Sequence, residues 1–455
     1  MQFQAARPAA VLEPGNRRCL PSSAWARSVL LCCGLVQAAT LLLTPSAQAQ
    51  AQAQEPAQGL TAQGRERITS YMQAATGGRG HLGAVTLVAR HGKVLDWQAF
   101  GYRDLQRQVP MTPDSIFRIY SMSKSVAAVA TLILMDDGRL TLDDPVSRHL
   151  PEFEPLQVFA GGSADAPLLR AAQRPLTIRH LLTHTAGFAT GGSDIAQASL
   201  LLERAKLTTS ADLADFARRV ARVPLATDPG ERYRYDGVNY EVLGRLIEVA
   251  SGMPLDTFVR QRVFGPLKMV DTGFGVPLPE RRRIVDVSTV SPAQRLVLDS
   301  GPSARQPGVM LRPYFSLAGG LYSTAPDFMR FCQMLLNGGT LDGATVLARG
   351  SVDLMLSNQL LQRSPPPGVA TPESRPGEGM GLGGWVIPDS PQRRQPGSVG
   401  SFGWSGAAST YFMIDPKLQA LAILLLQHLP PDEGEDLLPK RASKFYDRVY
   451  EALNP

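Results

Sequence analysis

The sequence predicts an α/β protein of the α+β kind, with an antiparallel β-sheet flanked by helices and interrupted by a large, mostly helical inserted lobe. Candidate strands occur near both ends of the chain, first at 83–100 and again beyond residue 381. Between them, apolar residues recur mostly at helical spacing. Strands at both ends with helices in the middle indicate one α/β lobe with an insertion. We assign 64–112 and 300–455 to the α/β lobe and 113–299 to the helical lobe.

Residues 1–49 predict a secretory signal peptide. Four arginines precede an apolar segment at 28–43, and a small-x-small cleavage pattern ends at Ala49. The apolar run is short and is interrupted by Gln37, which argues against a membrane anchor. We therefore expect an exported protein, periplasmic or secreted, that is cleaved near Ala49 and has no membrane span in its mature form. Residues 50–63 are polar and predict a disordered linker.

Charge and cysteine content exclude several classes of function. The leader holds four arginines and one glutamate, so +3 of the formal net charge of +6 leaves with it. The remaining +3 is too small to indicate nucleic acid as a partner. Three of the four cysteines lie in the leader, so Cys332 is the one that stays in the mature chain. A packed core without an internal disulfide must then stabilise that chain. The six histidines show no metal-ligand spacing, so we expect no metal and no other cofactor.

The N-terminal elements are a helix and a hairpin. Apolar residues at helical spacing predict a helix over 65–75. Two strand-like segments, 83–89 and 94–100, flank the glycine turn at 90–93 and predict a β-hairpin. His91 at the tip of this hairpin is interpreted as a solvated turn residue.

The first motif that carries chemistry is Ser121-x-x-Lys124. It opens an apolar run, 126–135, that contains no proline or glycine and ends at Asp136-Asp137-Gly138, which predicts a buried helix. Lys124 lies one turn beyond Ser121 on the same face. A serine hydroxyl is a poor nucleophile, and a lysine desolvated at a helix start would remove its proton. Of the seven lysines, only Lys124 has a serine three residues earlier.

The middle of the chain offers a histidine and several tyrosines. His184 lies in a small-residue turn with no nucleophile or acid pattern nearby, so we interpret it as a structural hydrogen-bonding residue. Tyr235 lies on a loop before a helix predicted from 241 to 250. A phenol whose pKa is lowered by a nearby ammonium group would relay protons in the site. Tyr233 and Tyr240 flank the same turn and are interpreted as packing residues.

The other elements follow from composition and period. Residues 154–175 contain proline and glycine and predict a loop, as do residues 362–378. The remaining predictions are a strand-like segment at 315–323, a helix over 325–336, strands at 381–387, 398–404, 410–414 and 420–427, and a terminal helix over 437–453.

A third motif, Trp404-Ser405-Gly406-Ala407, follows a predicted strand. Small residues at such an edge let a substrate approach the backbone, whose N–H groups would bind a developing oxyanion.

Together, these motifs and their order resemble the serine β-lactamase and penicillin-recognising superfamily. The resemblance covers about residues 65–450 and is strongest to the class C-like branch, which includes the family VIII carboxylesterases. It implies the β-lactamase/transpeptidase-like fold. The segments that carry it are 116–124, 142–146, 181–188, 229–235 and 319–324.

The resemblance also implies roles for individual residues. Ser121 is then the nucleophile that accepts the acyl group, Lys124 the adjacent base or field source, and Tyr235 the residue that passes a proton to the leaving group. The backbone N–H groups of Ser121 and Ala407 would form the oxyanion hole. Whether Lys124 or Tyr235 acts as the base is left open.

Two departures from the family pattern bear on the substrate. The second motif usually reads Tyr-x-Asn, but here it is Tyr235-Asp236-Gly237. The third usually reads Lys-Thr-Gly or Lys-Ser-Gly, but Trp404 replaces the lysine, before Ser405 and Gly406. In β-lactamases that lysine and asparagine help to hold the antibiotic's carboxylate and amide. An indole removes the ionic anchor and offers an apolar wall, which favours uncharged esters.

The sequence therefore predicts an exported serine hydrolase that forms an acyl-enzyme and acts on a small-molecule substrate, most simply a carboxylic ester with a short acyl group. One alternative is a β-lactamase or D-amino-acid peptidase with an altered pocket, acting on an amide. Another is a non-catalytic cell-wall-binding relative, whose hallmark would be a lost nucleophile or base. No signal for an oligomeric state is present.

Overall fold

A computed structural model of the chain describes residues 59–76, 80–360, 378–389, 396–429 and 442–453. The α-helices in this part are α1 Ala62–Thr76, α2 Ser123–Asp136, α3 Ile178–Leu182, α4 Ala196–Arg204, α5 Leu213–Ala221, α6 Val238–Ser251, α7 Leu255–Val259, α8 Pro302–Arg305, α9 Ala325–Leu336, α10 Arg349–Met355 and α11 Ser443–Leu453. The strands are β1 Gly83–Arg90, β2 Lys93–Gly101, β3 Phe117–Arg118, β4 Gln157–Gly162, β5 Pro167–Ala171, β6 Ser288–Val290, β7 Leu296–Leu298, β8 Tyr322–Ser323, β9 Thr340–Leu341, β10 Ala344–Thr345, β11 Gly379–Met380, β12 Trp385–Val386, β13 Phe402–Gly406, β14 Thr410–Asp415 and β15 Ala420–Leu425.

Seven of these strands form one antiparallel sheet in the order β11-β12-β13-β14-β15-β1-β2. Strand β1 joins the two ends of the chain, because Val85 pairs with Leu425 of β15 on one side and with Ala99 of β2 on the other. The residues of β14 and β15 are all buried, so the centre of the sheet is covered on both faces. The antiparallel sheet predicted from the sequence is confirmed.

Helices cover both faces of this sheet. On one face, Met72 of α1 and Phe445 of α11 pack in a cluster that contains Tyr411. On the other face, the ring of Phe328 in α9 lies 5.0 Å from that of Phe412 in β14, centroid to centroid. Successive side chains of a strand point to opposite faces, so Tyr411 and Phe412 belong to different clusters. The predicted fold class, a sheet flanked by helices, is confirmed.

Helix α2 is buried from Ser123 to Leu134. Its buried polar groups near the N-terminus have partners, which avoids the cost of an unsatisfied buried group. The Ser123 hydroxyl accepts a hydrogen bond from the N–H of Leu321 at 3.2 Å, and Ser125 donates to the carbonyl of Gly383 at 2.7 Å. The helix ends before Gly138, which has the positive φ of 70° that favours glycine after a helix.

Several predicted elements differ from the structure. Residues 154–175 are not a plain loop, because β4 and β5 pair there as a hairpin. Only Tyr322–Ser323 of the predicted strand 315–323 is extended, where it pairs with β3. The third motif does not follow a strand but ends one, since β13 runs through Gly406. Helix α1 begins at Ala62, so the last two residues of the predicted linker are helical.

Some predictions fall on other residues. The predicted signal peptide, most of the linker, residues 362–377 and the first part of the predicted terminal helix lie outside the described residues. The proposed lobe boundaries stay a prediction. In the described part of the chain, none of the helices has the length and apolar content to cross a membrane.

Candidate active site

Ser121 lies in a short 3-10 turn, Tyr120–Met122, directly before α2. The residue before it, Tyr120, has a φ of 45°, which is unusual for a residue with a side chain. Backbone strain of this kind persists where the surrounding structure fixes the conformation, and it is often found at functional sites. The turn presents Ser121 at the positive end of α2.

Lys124 follows one helical turn later and is almost fully buried, with 2% of its surface exposed. Its Nζ lies 3.0 Å from the Ser121 hydroxyl and 2.6 Å from the carbonyl oxygen of Ala318. It also lies 4.9 Å from the centroid of the Tyr235 ring, a distance at which a cation is attracted by an aromatic face. These contacts fix the ammonium group beside the serine.

Tyr235 approaches the same hydroxyl from the segment before α6. Its phenol donates a hydrogen bond to the Ser121 hydroxyl at 2.7 Å. The structure thus brings together the three residues that the sequence predicts to be catalytic. Two groups that can each exchange a proton with Ser121 meet at one oxygen. Because a hydroxyl has one proton and two lone pairs, the same geometry serves proton transfer in either direction.

The ring of His184 packs against the ring of Tyr235. The two ring centroids are 4.7 Å apart, and the indole of Trp404 is roughly parallel to the imidazole at 6.4 Å. The imidazole is buried, and burial, followed by the charge of Lys124, lowers its pKa well below the usual value. A neutral ring matches the contact of its Nδ1 with the backbone N–H of Asp236 at 3.4 Å. These contacts are those of a structural residue.

Two buried carboxyl groups near the site, those of Asp236 and Glu241, were not predicted to be part of it. Asp236 accepts hydrogen bonds from the N–H of Asn239 at 3.1 Å and the hydroxyl of Thr190 at 2.9 Å, which ties the start of α6 to a neighbouring loop. Burial raises its pKa to about 6, against the opposing effect of these hydrogen bonds. Glu241 accepts a hydrogen bond from Ser316 at 2.6 Å, and burial raises its pKa to about 7.

The sequence does offer a weak signal for Glu241. It is an acidic residue in the first turn of α6, six residues after Tyr235. Acidic residues are common at that position because the helix dipole favours them, so the signal alone suggests only an exposed cap. What the sequence does not show is that the segment containing Ser316 covers this carboxyl group.

The third motif lies beside the serine turn. The hydroxyl of Thr410 donates to the carbonyl of Ile119 at 3.2 Å, so the first residue of β14 is tied to the residue two before Ser121. Gly406 is close to the same carbonyl, since a Cβ built there would lie 2.4 Å from it. Ala407, the predicted oxyanion donor, is the next residue and begins the turn.

Trp404 is 7% exposed and lies under Tyr235, with ring centroids 5.5 Å apart. Ser405 pairs with Tyr411, whereas Trp404 pairs with Phe412 in the main core. By strand alternation, Ser405 points to the face opposite the site. Trp404 therefore packs against Tyr235 in the structure. The predicted substrate pocket of Trp404, Ser405 and Gly406 stays a prediction, as does the oxyanion hole of Ser121 and Ala407.

Ser121, Lys124 and Tyr235 open into a cleft of about 520 Å³. This volume is within the range of small-molecule sites. Trp404, Ser405, Gly406 and Ala407 are not among its lining residues. The remaining lining is mixed polar and apolar and comprises Arg118, Tyr120, Gly237, Glu241, Phe274, Pro302, Met310, Leu311, Arg312, Tyr314, Ser316, Ala318, Gly319 and Gly320. Across the described residues, no group of three or more His, Cys, Asp or Glu side chains is arranged to hold a metal ion.

Comparison with known proteins identifies the family. Residues 65–444, which include the whole site, match the family model described as Beta-lactamase. The chain belongs to the β-lactamase family. The resemblance inferred from the motifs is therefore confirmed, and the fold is that of β-lactamase-family proteins.

The β-lactamase-family relatives include proteins of similar length. Protein Rv1367c of Mycobacterium tuberculosis is 35% identical over 386 residues, which cover 82% of this chain and 94% of that protein. Esterase EstB of Burkholderia gladioli is 32% identical over 377 residues, covering 79% of this chain and 89% of EstB. The family and the esterase relative identify this chain as a β-lactamase-related serine hydrolase.

Solved structures of low sequence identity share the fold. EstCE1, described as a hydrolase with promiscuous acyltransferase activity, has a TM-score of 0.67 at 24% identity and covers 85% of this chain and 98% of its own. Unliganded simvastatin synthase (LovD) from Aspergillus terreus, as the selenomethionyl derivative, has a TM-score of 0.70 at 22% identity, covering 86% and 98%. These similarities show the fold alone.

Proposed function

We propose that this protein is an exported carboxylesterase that forms an acyl-enzyme on Ser121 and prefers esters with short acyl groups. The observation that carries the proposal is the convergence of Lys124 Nζ and the Tyr235 phenol on the Ser121 hydroxyl, at 3.0 Å and 2.7 Å. Nucleophile and base must lie within hydrogen-bonding reach for this chemistry.

The reaction has two half-steps. In the first, the Ser121 oxygen attacks the ester carbonyl carbon while its proton passes to the unprotonated member of the Lys124–Tyr235 pair. The tetrahedral oxyanion is stabilised by the N–H groups of Ser121 and Ala407. It collapses, the carbon–oxygen bond of the ester breaks, and the alcohol leaves with the proton delivered through Tyr235. In the second, water attacks the acyl-serine by the reverse proton route and releases the carboxylic acid and free Ser121.

The ester preference is supported by the residue at the third motif and by one relative. Trp404 carries no charge where a lysine ammonium would attract the carboxylate of a β-lactam antibiotic. Esterase EstB is similar over most of both chains. An uncharged ester loses nothing when this ionic anchor is absent, whereas an anionic β-lactam loses a charge-assisted contact.

Steady-state kinetics on a chromogenic short-acyl ester and a chromogenic cephalosporin test the proposal. We expect the ester to have the larger kcat/KM and Ser121→Ala to abolish its turnover. Tyr235→Phe should lower kcat by about 10²- to 10⁴-fold, the usual contribution of a positioned acid–base group, while Tyr233→Phe serves as the matched control. A cephalosporin kcat/KM equal to or above that of the ester would instead support the β-lactamase alternative.

Two further measurements address the remaining parts of the proposal. Labelling with a fluorophosphonate, followed by peptide mass spectrometry, should find the adduct on Ser121, whereas a folded protein without this adduct would support the non-catalytic alternative. Export predicts that the protein recovered from cells begins near Gln50. A mature protein that retains residues 1–49 would contradict it.

A further inference from the structure

A second cavity adjoins the catalytic cleft. It has a volume of about 490 Å³ and lies between α4, α5 and the start of α6. Its rim carries the exposed side chains of Glu203, Lys206 and Thr208. Its inner wall is apolar and consists of Ala189, Leu202, Leu207, Phe216 and Val238. We call this cavity the side chamber. An apolar wall with a polar rim at the surface is typical of a site for an apolar group.

The side chamber and the cleft share four lining residues: Gly237, Glu241, Arg312 and Tyr314. Two of them, Glu241 and Tyr314, are buried. The centroid of the Tyr314 ring lies 5.9 Å from that of the Phe216 ring, and the Glu241 carboxyl accepts a hydrogen bond from the Ser316 hydroxyl at 2.6 Å. The second oxygen of Glu241 is buried and has no hydrogen-bond partner among the described residues. The boundary between the cavities is therefore formed by a few side chains, not by a layer of core.

Gly237 leaves this boundary open. A Cβ built there meets only the Cβ of Ala318, at an ordinary contact distance of 3.5 Å, so space remains around it. Its backbone is helical, with φ −81° and ψ −21°, so the position does not require glycine for conformational reasons. In the usual Tyr-x-Asn motif an asparagine side chain would occupy this place. Without that side chain, space stays unfilled at the boundary between the cleft and the side chamber, and we call this space the passage.

The position of Tyr235 decides which half of the ester lies near this passage. Tyr235 delivers the proton to the leaving oxygen, so that oxygen must lie close to the phenol, which is 2.7 Å from the Ser121 hydroxyl. The group attached to the leaving oxygen therefore starts at Tyr235. Gly237, two residues further along the chain, lines both cavities. The alcohol portion of the substrate is thus the portion that faces the side chamber.

We propose that the side chamber binds the alcohol portion of the ester, so that the enzyme selects esters of alcohols with a large apolar group while the acyl group stays small. This inference rests on the proposed esterase function and specifies its substrate class. Each methylene that enters an apolar site from water is worth roughly fourfold in affinity. A group of phenyl size that reaches the side chamber should therefore gain at least tenfold.

Two mirrored ester series test this proposal on the parent enzyme. We expect kcat/KM for 3-phenylpropyl acetate to exceed that for methyl acetate at least tenfold, and methyl 4-phenylbutanoate to show no such gain. Leu202→Trp fills the side chamber from α4 and should lower the ratio of 3-phenylpropyl to methyl acetate at least fivefold. Leu200→Trp is the matched control, because Leu200 lies on the same helix, is 40% exposed and does not line the side chamber.

Further variants guard against a folding defect. Leu202→Ala enlarges the side chamber and should raise the ratio of kcat/KM for the acetate of a bulkier alcohol, such as 2-naphthylethanol, to kcat/KM for methyl acetate. Gly237→Asn narrows the passage and should lower the ratio of 3-phenylpropyl to methyl acetate. Equal ratios in Leu202→Trp and Leu200→Trp, or a gain found in the acyl series instead, would overturn the proposal.

Binding separates this proposal from the proposed function. In the Ser121→Ala background, calorimetry should detect 3-phenylpropan-1-ol binding that Leu202→Trp weakens at least fivefold and Leu200→Trp leaves as it is. If the parent hydrolyses no ester but this binding pattern holds, the esterase function fails and the side chamber stands. If esters are hydrolysed and the alcohol does not bind in this manner, the side chamber fails and the esterase function stands.

Discussion

The ionisation of Glu241 depends on the assembled site. It lies in the first turn of α6 and lines the cleft with Ser121 and Lys124. Burial raises its pKa from the usual 4.5 to about 7, against the opposing effects of the Ser316 hydrogen bond and the charges of Lys124 and Arg312. The folded protein therefore keeps this proton at pH values where the unfolded chain releases it.

The sign of the resulting pH dependence follows from linkage. A carboxyl group whose pKa is raised on folding contributes its full stability below pH 4.5, and loses it as pH rises through about 7. Glu241→Gln removes the ionisation, so the stability of this variant relative to the parent should increase with pH. We expect the difference in the free energy of unfolding to grow by about 2.5 kcal/mol between about pH 5 and about pH 8.

Urea titrations of both proteins at several pH values measure this difference. Glu154→Gln is the matched control, because Glu154 is exposed. Its curve should stay parallel to that of the parent. A Glu241→Gln curve that also stays parallel would contradict a carboxyl group that is neutral in the folded protein.

The proposed catalytic residues show which parts of a site a sequence reveals. Ser121 and Lys124 are one helical turn apart, so local geometry alone places the ammonium near the hydroxyl. Tyr235 was predictable from its motif, although 114 residues separate it from Ser121. Glu241 was not, because its burial depends on contacts with Ser316, 75 residues away. The burial of Trp404 under Tyr235 likewise depends on how β13 packs against other elements.

At the scale of elements, the end of β13 packs against the turn that carries Ser121, the proposed nucleophile. A Cβ at Gly406 would lie 2.3 Å from the Thr410 hydroxyl oxygen and 2.4 Å from the Ile119 carbonyl oxygen. The second of these atoms is backbone, so an added methyl group must displace the serine turn, the strand or both. A displacement of about 1 Å at a reacting group costs on the order of 10²-fold in rate.

Gly406→Ala should therefore lower kcat/KM for an ester by about 10- to 100-fold. It should also lower the free energy of unfolding by about 1–3 kcal/mol, the usual cost of overpacking. Gly350→Ala in α10 is the control, because no atom lies within 4 Å of a Cβ built there. That change should leave activity as it is and raise stability by up to about 1 kcal/mol. Parent-like activity in Gly406→Ala would show that β13 does not hold the turn in place.

Elements with local signals were the predictable ones. The hairpin of β1 and β2 is defined by its own turn and is confirmed. Helix α9 is confirmed from Ala325 to Leu336. Its start has local signals, since Thr324 caps the helix and a proline lies in its first turn. Residues 315–321 contain apolar residues typical of a strand, yet they pair with no strand in the described part of the chain. The carbonyl of Ala318 instead accepts a hydrogen bond from Lys124.

At the scale of the whole molecule, one apolar cluster extends from the sheet into the helical middle of the chain. It contains Ile423 of β15 and Leu243 of α6, both fully buried, together with Cys332 of α9. The sequence predicted a core large enough to stabilise the fold without disulfides, and Cys332 is a free, buried thiol in the structure. Which residues share that core depends on the strand order, which brings β1 and β15 together from opposite ends of the chain.

A continuous core predicts that the sheet and the helical middle unfold together. Leu243→Ala and Ile423→Ala each leave a cavity in the cluster and should each lower the free energy of unfolding by about 2–5 kcal/mol. Burial also raises the pKa of the Cys332 thiol well above its usual value, so the folded protein should resist alkylation there until the core opens.

Alkylation at Cys332, followed by peptide mass spectrometry across a urea series, reports the opening of α9, and far-ultraviolet circular dichroism reports the helices as a whole. We expect the two transitions to coincide in the parent and to shift by equal amounts in both variants, because a cooperative unit has one transition for every probe. Val270→Ala, at a position that is 85% exposed, is the control that should shift neither transition. If Leu243→Ala lost helical signal at a urea concentration where Cys332 stayed protected, the helical middle would be a separate folding unit. The sheet and the helical middle would then not unfold cooperatively.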